Sequence, residues 1–140
     1  IKALYRVSQA GVECDLIIRG MCCLKPGVPG VSDNIRVRSI IGRLLEHTRV
    51  FHFHNDGKSE TWCSSADFMA RNMFHRVETC FPLLDKKLAT RVRKDLETYL
   101  VDNCQSWLLQ TDGSYLLQNP GDSDAFSAQE TLLYAYASKS

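Results

Sequence analysis

The sequence lacks the short motifs that identify many nucleotide-binding and metal-binding proteins. It has no P-loop and no glycine-rich dinucleotide fingerprint, and glycine supplies only 8 of its 140 residues. Cys22 and Cys23 are adjacent, whereas the paired cysteines of a zinc site are separated by two or more residues. The carboxylates form no paired general-acid pattern. These absences argue against the P-loop, dinucleotide-binding and zinc-site architectures.

Long hydrophobic runs are also missing. No stretch is apolar for long enough to span a membrane, and none has the pattern of a signal peptide. Most of the six cysteines lie inside apolar runs such as LIIRGMCCL, which favours reduced and mostly buried thiols over a disulfide framework. We therefore expect a cytoplasmic protein.

The charges are unevenly distributed along the chain. Residues 1–101 hold 16 basic and 11 acidic residues, whereas residues 102–140 hold one basic and five acidic residues. A polyanionic partner would therefore meet the first two-thirds of the chain. The length suggests one domain, or a piece of a larger chain.

Hydrophobic periodicity predicts an α/β protein that contains both helices and strands. The opening helix and strand form half of an α/β unit, so we expect further chain before Ile1. The predicted elements are a helix in KALYRVSQ, strands in VECDLIIRG and IRVRSII, a β-hairpin around Asn-Asp-Gly, a central strand in RVETCFPLL, a helix in DKKLATRVRKDLETYLVDN capped by Asp85, a hairpin in QSWLLQTDGSYLL and a tail helix in FSAQETLLYAY.

One group of residues has the composition of a phosphate site. His47 and Arg49 alternate at a strand entry, and the hairpin returns Ser65 and Asp67 beside them. Histidine serves proton or phosphoryl transfer, and a neighbouring cation and small hydroxyl suit phosphate. The spacing alone favours a simpler interpretation, in which His47 is a polar residue at a strand start.

Arg19 is the second candidate, because it lies at the carboxyl end of the predicted strand DLIIRG and precedes Gly20. Ligands of open α/β sheets bind at such ends, and guanidinium groups match phosphate oxygens. An arginine at the rim that pairs with an acid, such as Asp33 or Glu46, is equally consistent with the spacing.

Two long segments carry a resemblance to a known family. They are DLIIRGMCCLKPGVPGVSDNIRVRSIIGRLLEHTRVFHF and SSADFMARNMFHRVETCFPLLD, and the opening IKALYRVSQAGV agrees with them. The sequence resembles the C-terminal region of bacterial polyphosphate kinases from Ile1 to about Tyr115. The resemblance implies a phospholipase-D-like α/β fold, with a mixed sheet flanked by helices. It assigns residues 1–118 to part of the second C-terminal catalytic domain and residues 119–140 to a linker and C-terminal tail helix.

The resemblance also implies an activity. The family reversibly transfers the terminal phosphate of ATP to inorganic polyphosphate with Mg²⁺, through a phosphohistidine. The nucleophile belongs to a histidine-x-lysine motif of the preceding domain that has no match here, so we expect the isolated chain to be inactive. The implied partners are ATP or ADP, polyphosphate, the remaining domains of the polypeptide and a second copy in a homo-oligomer. We expect no nucleic-acid partner, no membrane span and no metal site in this chain.

The family motifs place roles on particular residues. Arg19 matches an arginine that binds nucleotide phosphates, and His47 matches a catalytic histidine opposite the nucleophile. Arg49 stands where phospholipase-D relatives carry lysine, and Ser65 and Asp67 occupy the place of their Gly-Ser-x-Asn segment. We expect these five residues to form the nucleotide and phosphate site. The alternatives are a phospholipase-D-type phosphodiesterase domain and a non-catalytic polyanion-binding module.

Overall fold

The protein divides into two compact units in a computed structural model that describes residues 1–137. The first unit contains residues 1–46 and the described residues from Thr98 onward, and the second contains residues 47–97. The elements are α1 (Lys2–Gln9), β1 (Cys14–Ile17), β2 (Ile35–Ile40), β3 (Val50–Phe53), β4 (Glu60–Ser64), α2 (Ala70–His75), β5 (Cys80–Pro82), α3 (Lys86–Leu100), β6 (Ser106–Leu109), β7 (Tyr115–Leu117) and α4 (Ala128–Ala137).

The first unit is built on a four-stranded mixed sheet with the strand order β1-β2-β6-β7. β1 and β2 are parallel, and the pairs β2–β6 and β6–β7 are antiparallel. Along β2, Ile35 and Val37 are buried while Arg36 is exposed, as the alternation of the sequence predicts. The small core of this unit joins Ile35 and Val37 to Leu24 and Leu109. This sheet anchors the segment that carries Arg19.

The second unit contains a three-stranded antiparallel sheet with the order β3-β4-β5. The predicted hairpin is confirmed, because β3 pairs with β4 from Val50↔Cys63 to Phe53↔Glu60. Its turn is a short 3-10 helix in which Asn55 and Asp56 adopt φ values of 46° and 50°. Asn and Asp tolerate this left-handed conformation better than most residues, which explains the turn at this sequence.

Three predictions from the sequence were wrong in detail. β5 lies at the edge of its sheet, and its three residues are exposed, so the apolar run RVETCFPLL is not a central strand. Helix α2 follows β4 in a segment where no helix was predicted. The six cysteines are free, but four are half-buried and two are exposed, so the thiols are not mostly buried.

The long helix α3 begins as predicted. Asp85 caps it, because its Oδ1 accepts hydrogen bonds from the backbone N–H groups of Lys87 and Leu88 at 2.8 and 3.0 Å. Helix α4 lies within the predicted tail, whose last three residues, 138–140, lie outside the described residues. None of the helices within residues 1–137 is long and apolar enough to cross a membrane.

An exposed ion pair crosses the parallel strands β1 and β2. Arg36 Nε donates to Asp15 Oδ1 at 2.8 Å, and its Nη2 reaches Glu13 Oε2 at 3.0 Å. The hydrogen bond from Arg36 lowers the pKa of Asp15. A depressed carboxyl pKa stabilises the fold above the ordinary aspartate pKa of about 3.9, and this contribution is lost as the pH falls through the lowered value.

We therefore expect Asp15→Asn to lower the free energy of unfolding slightly at pH 7, since the pair is exposed to solvent. The difference from the unmodified chain should shrink as the pH falls below about 4, because Asp15 becomes protonated first in the unfolded chain and only at lower pH in the folded chain. Urea unfolding at a series of pH values measures both quantities. A constant difference at every pH would show that Asp15 acts through something other than its charge.

Candidate functional site

The second unit holds His47 and Arg49 at the entry of the β3–β4 hairpin. The backbone N–H of Ser64 donates to the carbonyl oxygen of Arg49 at 2.9 Å, which extends the β3–β4 ladder to Arg49. Arg49 is therefore fixed by the sheet, while His47, two residues earlier, is exposed. This placement confirms that the two residues share one end of the hairpin.

Asp67 returns to Arg49 through a tight turn after β4. The Ser64 hydroxyl accepts the backbone N–H of Ala66 at 3.0 Å, and the Ala66 side chain is buried. Arg49 Nε then donates to Asp67 Oδ1 at 2.9 Å and Nη2 donates to Asp67 Oδ2 at 3.1 Å. The two side chains keep 17% and 23% of their exposure, so solvent screens this bidentate pair only partly.

Arg49 also contacts His47. Its Nη1 lies 3.1 Å from His47 Nδ1 and donates to the backbone carbonyl oxygen of His47, also at 3.1 Å. The guanidinium thus joins the carboxylate of Asp67 to the imidazole of His47. The second unit brings together three of the five predicted site residues through direct side-chain hydrogen bonds.

Ser65, the fourth predicted residue in this unit, contacts Glu78. The Ser65 hydroxyl donates to Glu78 Oε2 and accepts the backbone N–H of Thr79 at 3.0 Å. Buried Asn72 donates from Nδ2 to Glu78 Oε1 at 2.6 Å. These hydrogen bonds, first from Ser65 and then from Asn72, lower the pKa of Glu78.

Glu78 is a charged group at this end of the hairpin that sequence reasoning missed. It lies in the segment before β5, in a run that the sequence suggested was a buried strand. It precedes Thr79, whose carbonyl oxygen accepts the backbone N–H of Ser65 at 3.0 Å, and no signal in the sequence indicates this pairing. Asn72 is buried and supports Glu78 through its amide N–H group.

Arg19 belongs to the first unit, where it follows β1. Its side chain is half-buried, and Nη1 donates to the backbone carbonyl oxygen of Glu46 at 2.8 Å. The Glu46 carboxylate accepts from Tyr99 Oη at 2.8 Å and from Gln129 Nε2 at 2.7 Å. Arg19 therefore meets Glu46, as the alternative interpretation suggested, and this hydrogen bond is to the backbone carbonyl oxygen.

The strand arginines are engaged within the first unit. Arg36 pairs with Asp15 and Glu13, and Arg38 Nη1 donates to the carbonyl oxygen of Leu100 at 2.5 Å. Burial lowers the pKa of Arg38. Part of the positive excess in the first two-thirds of the sequence thus serves the fold.

The described residues offer no obvious metal ligand set. No group of three or more histidine, cysteine, aspartate or glutamate side chains within residues 1–137 is arranged to hold a metal ion. The hairpin histidine His52 instead has its Nδ1 within 3.0 Å of Thr61 Oγ1. Residues 1–137 therefore contain no ready-made cluster of carboxylates for Mg²⁺.

Comparison with known proteins defines the class of this protein. Its fold matches the crystal structure of polyphosphate kinase from Porphyromonas gingivalis with a TM-score of 0.91 and 41% identity, over 97% of this chain and 21% of that chain. This match confirms the predicted phospholipase-D-like mixed α/β fold. The family model "Polyphosphate kinase C-terminal domain 2" matches residues 1–129. The chain belongs to this family.

Curated relatives agree with this assignment. The polyphosphate kinase of Pseudomonas syringae pv. tomato is 62% identical over 134 residues, which are 95% of this chain and 18% of that protein. Polyphosphate kinase 1 of Chlorobaculum tepidum is 53% identical over 133 residues, which are 95% of this chain and 19% of that protein. The chain thus spans about a fifth of the length of these relatives.

Proposed function

We propose that this chain is the phosphate-binding and nucleotide-binding part of a polyphosphate kinase. The whole enzyme would reversibly transfer the terminal phosphate of ATP to inorganic polyphosphate through a phosphohistidine. The support is its family membership, together with the names of relatives that are 53% and 62% identical over 95% of the chain. The phosphorylated histidine would lie in a part of the enzyme outside this chain, and the isolated chain would lack turnover.

The observation that carries the proposal is the exposed imidazole of His47, held by an arginine that a carboxylate clamps. Phosphoryl transfer requires little covalent work from the protein, because most of the catalysis is positioning and charge stabilisation. A fixed imidazole that projects from a rigid hairpin suits that task. We propose that His47 is the catalytic residue of this chain.

The hydrogen bonds of the other predicted site residues indicate which of them could bind phosphate and which support the site. Arg19 carries a guanidinium at the carboxyl end of β1, where it could bind nucleotide phosphates. The Ser65 hydroxyl already donates to Glu78, and both carboxylate oxygens of Asp67 accept from Arg49. These bonds favour supporting roles for Ser65 and Asp67 over direct phosphate contact.

Magnesium and the remaining partners belong to the whole enzyme. We propose that Mg²⁺ enters with the nucleotide or is held by residues outside this chain, because the described residues form no ligand cluster. Bound to nucleotide phosphates, Mg²⁺ would neutralise charge that develops during transfer. A cytoplasmic location and assembly into a homo-oligomer remain proposals as well.

The activity is tested on the full-length protein. It is incubated with ATP labelled in its terminal phosphate, with and without Mg²⁺, and the products are separated by chain length. Labelled long-chain polyphosphate would support the kinase. Cleavage of a phosphodiester substrate without polyphosphate synthesis would support the phosphodiesterase, and salt-sensitive binding of polyphosphate without turnover would support the polyanion-binding module.

We expect Arg19→Lys in the full-length enzyme to raise the KM for ATP about 10- to 100-fold, because a charge-assisted hydrogen bond contributes about 1.5–3 kcal/mol. A lysine keeps the charge, but it cannot hold the Glu46 carbonyl and grip two phosphate oxygens at once. Arg19→Ala should be impaired more strongly. Steady-state kinetics with varied ATP, together with melting curves, measure both effects.

The control for this change is Arg43→Lys, which alters an exposed arginine of the same unit. It should leave the KM for ATP unchanged. If Arg19→Lys behaves like the control while Arg19→Ala loses thermal stability, then Arg19 serves the fold through Glu46 and does not bind ATP.

A further inference from the structure

The clamped guanidinium of Arg49 has a defined capacity for further hydrogen bonds. A guanidinium carries five N–H groups and no acceptor. Nε and Nη2 each donate to Asp67, and Nη1 donates to the carbonyl oxygen of His47 and faces its Nδ1. A fork of Nε and Nη2 could bind two phosphate oxygens, but these two groups already bind the carboxylate of Asp67. Arg49 is therefore poorly placed to bind phosphate as a fork.

The contact with His47 determines where the imidazole carries its proton. Arginine remains protonated and its N–H groups only donate, so Nδ1 of His47 must accept with its lone pair. An imidazole that accepts at Nδ1 is neutral and carries its hydrogen on Nε2. Nε2 lies on the side of the ring away from Arg49, on a side chain that is exposed.

We propose that Arg49 is a positioning residue that acts on phosphate through His47. Clamped by Asp67, it holds His47 neutral with Nε2–H directed outward, where this group donates a hydrogen bond to a phosphoryl oxygen. This inference rests on the proposed kinase function and deepens it. Because Nε2 then has no lone pair and Nδ1 is covered by Arg49, His47 in this arrangement is a hydrogen-bond donor and not a nucleophile.

Asp67 has a defined part in this arrangement. Its two oxygens fix the guanidinium plane from the opposite edge, which directs Nη1 at His47 Nδ1. Without the carboxylate, the guanidinium could rotate toward an incoming polyanion and release the imidazole. The displacement of a reacting group by about 1 Å can lower turnover about 100-fold.

The kinetic test uses the full-length enzyme with Arg49→Gln and Asp67→Asn, each made alone and in a His47→Ala background. We expect each single variant to lower kcat about 10- to 100-fold with nearly unchanged KM for ATP and for polyphosphate. In the His47→Ala background, neither substitution should lower kcat further, because Arg49 acts only through the imidazole. Arg49→Lys should retain more activity than Arg49→Gln, since an ammonium keeps the positive charge that pairs with Asp67 and can still donate to Nδ1.

The control is Arg71→Gln, which changes an exposed arginine of the same unit. It should leave kcat and KM unchanged. A raised KM with retained kcat in Arg49→Gln would make Arg49 a direct phosphate ligand and would overturn the proposal. Losses that multiply in the His47→Ala background would overturn it as well.

A spectroscopic measurement tests the proposal without activity. In the full-length protein labelled with ¹⁵N-histidine, the His47 signals are identified by their absence in His47→Ala. At neutral pH we expect an unprotonated Nδ1 and a protonated Nε2, and a mixture of protonation forms in Arg49→Gln. A protonated Nδ1 in the unmodified protein would refute the inference.

The two measurements separate failure of the inference from failure of the proposed function. A protein that makes no polyphosphate but shows the expected His47 tautomer would refute the proposed kinase activity and support the proposed role of Arg49. A protein that makes polyphosphate but has a protonated His47 Nδ1 would support the kinase activity and refute the role of Arg49.

Discussion

We expect His47→Ala in the full-length enzyme to lower kcat about 100- to 1,000-fold, which is the usual effect of removing one positioned hydrogen-bond donor from a transition state. The melting temperature should remain unchanged, because His47 is exposed and its removal leaves no buried group without a partner. Single-turnover kinetics and thermal unfolding of the same preparations measure the two quantities.

A glutamine at this position distinguishes a hydrogen-bond donor from a proton donor. The amide of His47→Gln keeps an N–H group near the place of Nε2, but it cannot give up a proton to a leaving group. We expect it to retain more activity than His47→Ala. His54→Ala, which removes another exposed histidine of the same unit, is the control and should behave like the unmodified enzyme.

Two outcomes would contradict this assignment. If His47→Gln is as inactive as His47→Ala, the imidazole serves as a proton donor and Nδ1 must be protonated during the reaction. If His47→Ala keeps full turnover, His47 is only a polar residue at a strand entry, which is the simpler interpretation that its spacing allows.

The local elements of the fold could be predicted because their signals lie within a few residues. The hairpin follows from alternating residues around Asn-Asp-Gly, and the start of α3 follows from the Asp85 cap. Arg36 could be assigned to the exposed face of β2 because side chains alternate along a strand. These features need no knowledge of distant contacts.

The features that could not be predicted correctly depend on partners that are far away in sequence. The run around Phe81 is apolar enough for a central strand, but strand order decides burial, and β5 lies at the edge of its sheet beside β4. The same limit applies to the site. The spacing predicted that Asp67 lies beside Arg49. It could not show that the Asp67 carboxylate would accept hydrogen bonds from Arg49 Nε and Nη2, or that the Ser65 hydroxyl would donate to Glu78.

Asp102 is a buried carboxylate for which the sequence suggested no role. Only 1% of its surface is exposed. Its Oδ1 accepts the backbone N–H groups of Cys104 at 3.0 Å and Gln105 at 2.7 Å, and its Oδ2 accepts the N–H of Ala128 at 2.7 Å. One side chain thus holds the turn before β6 and the first residue of α4, two segments that are more than twenty residues apart.

We expect Asp102→Ala to lower the free energy of unfolding of this chain by about 3 kcal/mol. Each donor left without a partner costs about 1–3 kcal/mol, and the low end of that range applies because two of the three hydrogen bonds are only partly buried. For a chain of this size the melting temperature should fall by about 10 °C. Thermal and urea unfolding measure both values.

Asp102→Asn keeps one acceptor oxygen but turns its amide N–H toward another donor, so its loss of stability should be intermediate. Asp122→Ala, at an exposed position, is the control and should be neutral. A loss of less than about 1 kcal/mol in Asp102→Ala would mean that water replaces the carboxylate at the start of α4.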